Sequence, residues 1–218
     1  MPISVCIVGH GESLKGAGLG REIDKHFVVR LKNCSMLLAE PHDYGTRTDA
    51  MCSSTEVLPH LPKVKASEYW GYPKKGDYSP KRVNWLKRHI DQRSKVFIPL
   101  ETCNLWNAAF LELGGRHPNV STGMGAVIIA LELKRPKVLY LAGFDNVVNP
   151  KTHGYRCTVP TPFNSNGTKD TGHDWEKENE LLAYLQEYYK TKIIDLAGHN
   201  NRTPGRLPEV RGELSREP

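Results

Sequence analysis

The feature that most constrains the fold is the stretch 5–24, VCIVGHGESLKGAGLGREID, in which a short apolar run leads straight into a glycine-rich loop. A strand followed by such a loop is typical of nucleotide-binding α/β domains, where backbone N–H groups of the loop approach a ligand. Gly9 and Gly11 match part of a dinucleotide-binding pattern, but the same spacing also occurs in ordinary tight turns. Both interpretations remain open on the glycines alone.

Apolar runs recur along the chain and alternate with segments of helical character. We predict strands at 3–9, 26–31, 49–53, 94–100, 137–144 and 192–196, and helices at 104–113, 126–134 and from about 172 to 189. This alternation predicts an α/β fold, a single Rossmann-like domain with a mostly parallel central sheet flanked by helices.

Length and composition bound the class of protein. The chain has 218 residues, 39% of them hydrophobic and 25% charged, which excludes a disordered or fibrous protein. No shift in composition divides it, so we predict one domain over 1–198 and a polar, proline-bearing tail over 199–218. The longest apolar-leaning run, 123–133, is too short to span a membrane. We expect a soluble, cytoplasmic protein from a bacterium or a virus-infected host, with no membrane partner.

The five cysteines are an odd number and are scattered without a C-x-x-C pair. That pattern favours reduced, mostly buried thiols over a disulfide framework or a zinc site.

The stretch 63–95 differs from the rest because it carries a net charge of +7, more than the +6 of the whole chain, with aromatic residues interleaved. Basic and aromatic side chains together suit a polyanionic acceptor such as nucleic acid. A solvated helix over 80–93, with Trp85 packed on the sheet, is the alternative interpretation. The candidate acceptor-binding residues are Lys74, Lys75, Lys81, Arg82, Trp70 and Trp85.

A second informative stretch, 119–125 (NVSTGMG), precedes a helical pattern. Ser121 or Thr122 is a natural N-cap, and hydroxyl and N–H groups at a helix N-terminus suit an anionic group, although an ordinary capped helix needs no ligand. The stretch 150–172 is rich in Pro, Thr, Asn and Gly and predicts a long loop that could cover the site.

His173 is the histidine best placed for chemistry. It comes at the predicted start of a helix, where the helix dipole disfavours the imidazolium and keeps the ring neutral, as a general base requires. Glu178 follows five residues later, about 500° around a helix, so we predict that it anchors the helix rather than facing His173.

Several of these segments resemble the sialyl motifs of glycosyltransferase family 29, the eukaryotic-type sialyltransferases. The runs 13–24, 26–31 and 44–49 resemble the large motif, 121–144 the small motif and 173–178 the very small motif. The resemblance implies inverting transfer of a sugar from a CMP-sugar donor to an acceptor hydroxyl, with His173 as the base. It also implies that no metal or other cofactor is needed, and the sequence has no D-x-D doublet.

The resemblance further implies a set of donor-binding residues, in which His153 and Arg156 are rivals for one phosphate contact. They are Gly9, His10, Gly11, Ser13, Asn33, Ser121, Thr122, Gly123, His153 and Arg156. The chain departs from the family where His10 and Lys32, followed by Asn33, stand near positions usually held by asparagine. It also has Val5 where a disulfide-forming cysteine is usual, and Val120 where proline is common.

Three functions follow as expectations. The first is a sialyltransferase-like enzyme acting on a glycan or small saccharide. The second is a phage-type DNA glycosyltransferase that adds a sugar to a hydroxymethylated base, which the basic stretch favours. The third is a non-catalytic nucleotide- or nucleic-acid-binding module that keeps the scaffold alone.

Overall fold

The computed structural model describes residues 3–31, 40–54, 66–73, 95–145 and 173–197. The strands in these ranges are β1 (Val5–Val8), β2 (Phe27–Leu31), β3 (Ala50–Ser54), β4 (Glu68–Tyr72), β5 (Lys95–Phe97), β6 (Val138–Ala142) and β7 (Lys192–Asp195). The α-helices are α1 (Gly20–Ile23), α2 (Pro41–Tyr44), α3 (Leu100–Glu112), α4 (Thr122–Lys134) and α5 (Trp175–Tyr189), with a 3₁₀ turn at Glu12–Leu14. The predicted tail beyond 198 lies outside the described residues, so that boundary stays a prediction.

The seven described strands form one sheet in the order β5-β4-β3-β2-β1-β6-β7, and every described pair is parallel. The predicted α/β fold with a parallel central sheet is therefore confirmed. The order reverses between β1 and β6, where Val8 pairs with Ala142. Ligands of open α/β sheets bind at the carboxyl ends of the strands beside such a reversal, so this edge is where a site is expected.

Helix α4 is the centre of the larger core. Its residues from Met124 to Leu131 are buried, and it packs on β1–β4 beneath α3 and α5. A helix that is apolar on all sides must be covered on all sides, which explains its place between the sheet and two other helices. The opposite face of the sheet packs against Leu14, Ile23 and Tyr44, from the segments that follow β1 and β2.

Strand β4 corrects the interpretation of the basic, aromatic stretch. Trp70 and Tyr72 are fully or almost fully buried, and the Trp70 Nε1 donates to Glu68 Oε2 at 2.9 Å. The prediction that Trp70 binds an acceptor is therefore wrong, because its indole lies inside the core. Lys74, Lys75, Lys81, Arg82 and Trp85 lie outside the described residues and remain predictions.

Two helix starts also differ from the predictions. Strand β5 ends at Phe97 and α3 begins at Leu100, because Pro99 has no N–H with which to continue a sheet ladder but is tolerated at a helix start. Helix α4 begins four residues earlier than predicted, at Thr122, since its Gly123 and Gly125 are accepted within the first turn.

The described cysteines agree with the predicted reduced thiols. Cys6, Cys52 and Cys103 are buried and form no disulfide, and burial raises the pKa of Cys6 and of Cys103 to about 12. Thiols so rarely ionised are poor nucleophiles, so we assign these three to packing. In the part of the chain that the structure describes, no helix is both long and apolar enough to cross a membrane.

Candidate active site

The loops that follow β1 and β6 are bonded to each other at the carboxyl edge of the sheet. The Gly9 N–H donates to the Ala142 carbonyl at 2.7 Å, and the Gly11 N–H donates to the Gly143 carbonyl at 2.9 Å. A Cβ on Gly9 would lie 2.5 Å from the Gly143 oxygen, so glycine permits this approach. The chain itself thus uses these two N–H groups, which agrees with the tight-turn interpretation, and a donor contact by other atoms of Gly9 or Gly11 stays a prediction.

Ser13 is also held internally. Its N–H donates to Asp145 Oδ2 at 3.0 Å, and its hydroxyl donates to Asp145 Oδ1. The side chain that follows β6 thus holds the loop that follows β1. A direct contact of Ser13 with the nucleotide-sugar donor stays a prediction, and the hydroxyl hydrogen of Ser13 is already bonded to Asp145.

The rest of the glycine loop folds around a carboxylate. Gly16 and Gly18 have φ of 74° and 67°, and their N–H groups donate to Asp43 at 2.6 and 2.9 Å. These two bonds hold the pKa of Asp43 below its usual value, because they stabilise the ionised carboxylate. The loop therefore has the form of an anion-binding nest whose anion is an aspartate of the same chain.

The start of α4 holds a second internal carboxylate. Ser121 caps the helix by accepting from the Met124 N–H at 3.2 Å. Its own N–H donates to Glu178 Oε1 at 2.6 Å, and its hydroxyl donates to Glu178 Oε2 at 2.7 Å. Glu178 is 0% exposed. Charge-assisted bonds of this kind, at the positive end of a helix, are what a buried carboxylate needs.

His173 lies next to this carboxylate. Its Nδ1 is 3.7 Å from Glu178 Oε1, and its side chain is 26% exposed. The predicted separation of His173 from Glu178 is wrong, because α5 begins at Trp175 and the angle of a helix does not apply to the residue before Asp174, its N-cap. The bonds of Glu178 to Ser121 agree with the predicted anchoring role. They fasten α5 to the start of another helix, α4.

A buried network of hydrogen bonds holds the chain segment that precedes Ser121. Asn107 on α3 accepts from the Tyr72 hydroxyl at 2.5 Å and from the Val120 N–H at 3.1 Å. The Tyr72 ring lies where a Cβ on Gly125 would be, so this glycine lets β4 and α4 meet. Burial is the main cause that raises the pKa of Tyr72 well above its ordinary value, so it acts as a neutral hydrogen-bond donor.

Phe144 joins the two halves of the predicted donor site. A Cβ on Gly9 would lie 3.3 Å from its ring, and a Cβ on Gly123 would lie 3.0 Å from it. The sheet edge and the first turn of α4 are therefore neighbours. Thr122 and Gly123 are half-buried there, and His10 is buried at 5% exposure directly after β1.

The other predicted site residues lie outside the described part of the chain, and their roles stay predictions. They are Asn33, His153 and Arg156. The structure also brings His117, Asp174 and Trp175 close to His173, which the sequence analysis did not single out. Trp175 could have been found from its place two residues after the predicted base, whereas His117 is 56 positions away and only the fold reveals it.

Within the described ranges, no group of three or more His, Cys, Asp or Glu side chains could hold a metal ion. The proposed independence from metal concerns the whole chain, including the ranges outside the description, and it stays a prediction.

Comparison with known proteins gives a structural likeness only. No protein-family model matches the chain, and no curated protein matches its sequence. A mammalian sialyltransferase in complex with Gal-β-1-3GalNAc-ortho-nitrophenol matches with a TM-score of 0.54 and 18% identity. Another structure of a mammalian sialyltransferase matches with a TM-score of 0.54 and 17% identity. Each match covers 88% of this chain and 68% of the other. At this identity the comparison shows a shared fold.

Proposed function

We propose that this protein is a sialyltransferase-like glycosyltransferase, which moves a sugar from a nucleotide-sugar donor, CMP-linked, to an acceptor hydroxyl. The observation that carries the proposal is the contact of half-exposed His173 with buried Glu178, which is itself bonded to Ser121 at the carboxyl edge of the sheet. The fold shared with two mammalian sialyltransferases supports it.

In this mechanism His173 takes the proton of the acceptor hydroxyl. Its Nδ1 faces Glu178, so Nε2 is the nitrogen that receives the proton. The carboxylate stabilises the imidazolium that forms, as the acidic member of a catalytic triad does. The distance of 3.7 Å is longer than a hydrogen bond, and catalytic contacts of this kind often shorten only when substrate binds.

The donor phosphate would lie on the other side of Ser121. Thr122 and Gly123 in the first turn of α4, together with His10 after β1, are the described residues that would stabilise the departing phosphate. The Ser121 hydroxyl donates to Glu178, so we assign it to holding the carboxylate. A base on the acceptor side and a leaving phosphate on the donor side give inversion in a single displacement, without a metal.

The DNA acceptor, the non-catalytic module and the cytoplasmic location stay predictions. None of the described residues supports a DNA surface, since Trp70 is in the core and the basic residues of 74–85 lie outside the description.

The proposal is tested with a panel of CMP- and UDP-sugars, assayed for release of free nucleotide in the presence of glycan acceptors that include Gal-β-1-3GalNAc-ortho-nitrophenol. We expect His173→Gln to lower the rate by about 100-fold to 10,000-fold. Nucleotide binding, measured by calorimetry, should be unchanged. The control is His42→Gln, because the side chain of His42 is 86% exposed and also lies beside a carboxylate, that of Asp43.

Two results would contradict the proposal. A wild-type chain that binds nucleotide and turns over no donor would favour the non-catalytic module. A His173→Gln variant as active as His42→Gln would remove His173 from the reaction.

A further inference from the structure

Two further rings lie near His173 and are not used by the mechanism above. The Trp175 ring centroid is 4.9 Å from that of His173, and the His117 centroid is 6.4 Å away on the other chain segment. His117 is exposed, and His173 and Trp175 are half-buried. The base therefore belongs to a cluster of three partly accessible rings.

The segment that carries His117 is fixed against the start of α5. Arg116 Nε donates to Asp174 Oδ2 at 3.1 Å, and Asp174 Oδ1 caps α5 by accepting from the Lys177 N–H at 3.5 Å. His117 Nδ1 lies 3.1 Å from the Asn119 carbonyl, and Asn119 is buried. The position of His117 relative to the base is thus set by contacts on both sides of it.

The charges around these rings disfavour a phosphodiester. Among the residues that the structure describes, the cations beside these rings are paired, Arg116 with Asp174 and Lys177 with Glu180 at 2.8 Å. Glu176, which is exposed, and buried Glu178 add negative charge. A nucleic-acid acceptor needs cations that are available to its phosphates, whereas a neutral sugar needs a flat apolar face and a few hydrogen-bonding groups.

We propose that His117 and Trp175 form an acceptor subsite for a neutral pyranose, which deepens the proposed function and rests on it. The apolar face of the sugar packs on Trp175, whose ring combines a large apolar area with a polar N–H. His117 Nδ1 either donates to the Asn119 carbonyl at 3.1 Å or accepts from the Asn119 N–H at 3.4 Å, so its Nε2 either accepts from a sugar hydroxyl or donates to one. A neighbouring hydroxyl of the same sugar then reaches His173 Nε2. Trp175 and His117 are specificity-determining residues in this arrangement, and His173 alone takes the proton.

The subsite is tested by binding without turnover, with lactose as the probe and saturation-transfer NMR as the measurement. Wild type should bind lactose in the absence of any donor. Trp175→Leu, which removes the ring, should weaken binding about tenfold, equivalent to ~1.4 kcal/mol. Trp175→Phe should retain most of it because a flat ring remains. His117→Ala should weaken binding about fivefold through loss of one hydrogen bond, whereas His42→Ala should not.

The same variants are then compared in the transferase assay. We expect the KM for a glycan acceptor to rise in Trp175→Leu and His117→Ala, with the KM for the donor unchanged. Equal lactose binding by wild type and Trp175→Leu would overturn the subsite, and so would absence of lactose binding or binding of a single-stranded DNA oligonucleotide that Trp175→Leu and His117→Ala both weaken. Turnover with unchanged acceptor KM would overturn the subsite alone, whereas lactose binding without any turnover would overturn the proposed function alone.

Discussion

The glycine loop at 13–18 and the start of α4 look alike in sequence, since both offer N–H or hydroxyl groups for an anion, but they differ in what their anion does. In both places the anion is a carboxylate of the chain, Asp43 in the loop and Glu178 at the helix. Asp43 accepts from the backbone N–H groups of Gly16 and Gly18 and lies 3.2 Å from Nδ1 of the exposed His42. Glu178 reaches onward to His173, a half-exposed imidazole.

Hydrogen-bond donors at a loop or at a helix start therefore do not by themselves mark a ligand site. A carboxylate from a distant part of the chain satisfies them equally well, and at low cost when it is partly solvated. Each carboxylate also has an imidazole neighbour among the contacts described, so the informative feature is where that imidazole lies. His42 is 86% exposed beside the glycine loop, whereas His173 is 26% exposed and shares buried Glu178 with Ser121 at the start of α4.

The largest expected effect is from Glu178→Ala. It leaves two buried donors of Ser121 without an acceptor, which we expect to lower the free energy of unfolding by about 2–4 kcal/mol. It also removes the anion beside His173, so transfer should fall more than stability explains. Urea unfolding and the nucleotide-release assay measure the two effects. Glu180→Ala, on the same helix but exposed, is the control and should change stability by less than about 0.5 kcal/mol. Equal effects of the two variants would mean that burial of Glu178 carries no special role.

An intermediate effect is expected within the glycine loop, where two alanine substitutions separate packing from backbone conformation. Gly9→Ala puts a Cβ 2.5 Å from the Gly143 oxygen, so the backbone must move at a cost of about 2 kcal/mol. Gly16→Ala meets no atom within 4 Å, and only its positive φ costs about 1 kcal/mol. Thermal unfolding of both variants measures which substitution destabilises the protein more. A more severe Gly16 variant would mean that the loop conformation matters more than the contact between the β1 and β6 loops.

The smallest effect is expected from Asp43→Asn, and it depends on pH. Because the pKa of Asp43 is lowered in the folded protein, its contribution to stability is present above the unfolded pKa and is lost as the pH falls through the folded pKa. The urea midpoints of wild type and variant should therefore differ at neutral pH and converge in acid. Transferase activity at neutral pH should be retained. A variant that loses activity without losing stability would turn the glycine loop into part of the site.

Much of the fold is predictable because the apolar runs of β1, β2 and β6 and the apolar stretch of α4 are signals carried by neighbouring residues. Strand β4 was missed because EYWGY lies in a basic stretch, where its aromatic side chains suggested a surface. They instead pack on both faces of the sheet, Trp70 under α4 and Tyr69 on the opposite side. Charge along a segment does not tell which of its residues are buried.

The candidate site is less predictable, because its decisive contacts join residues far apart in sequence. His173 was found from its helix-start position and its spacing to Glu178. The bonds of Glu178 to Ser121 and of Asp145 to Ser13 link segments separated by 57 and 132 positions, and no local pattern reports them. Helical spacing does not predict the contact of His173 with Glu178, because His173 precedes the N-cap of α5.

The hydrogen bond from the Ser121 amide to Glu178 also makes the position of this carboxylate measurable. That amide proton can exchange with solvent deuterium only when the carboxylate leaves it, and the same departure releases the neighbour of His173. The deuterium exchange rate of the Ser121 amide, at the N-cap of α4, thus reports the fraction of time during which His173 lacks the carboxylate beside it.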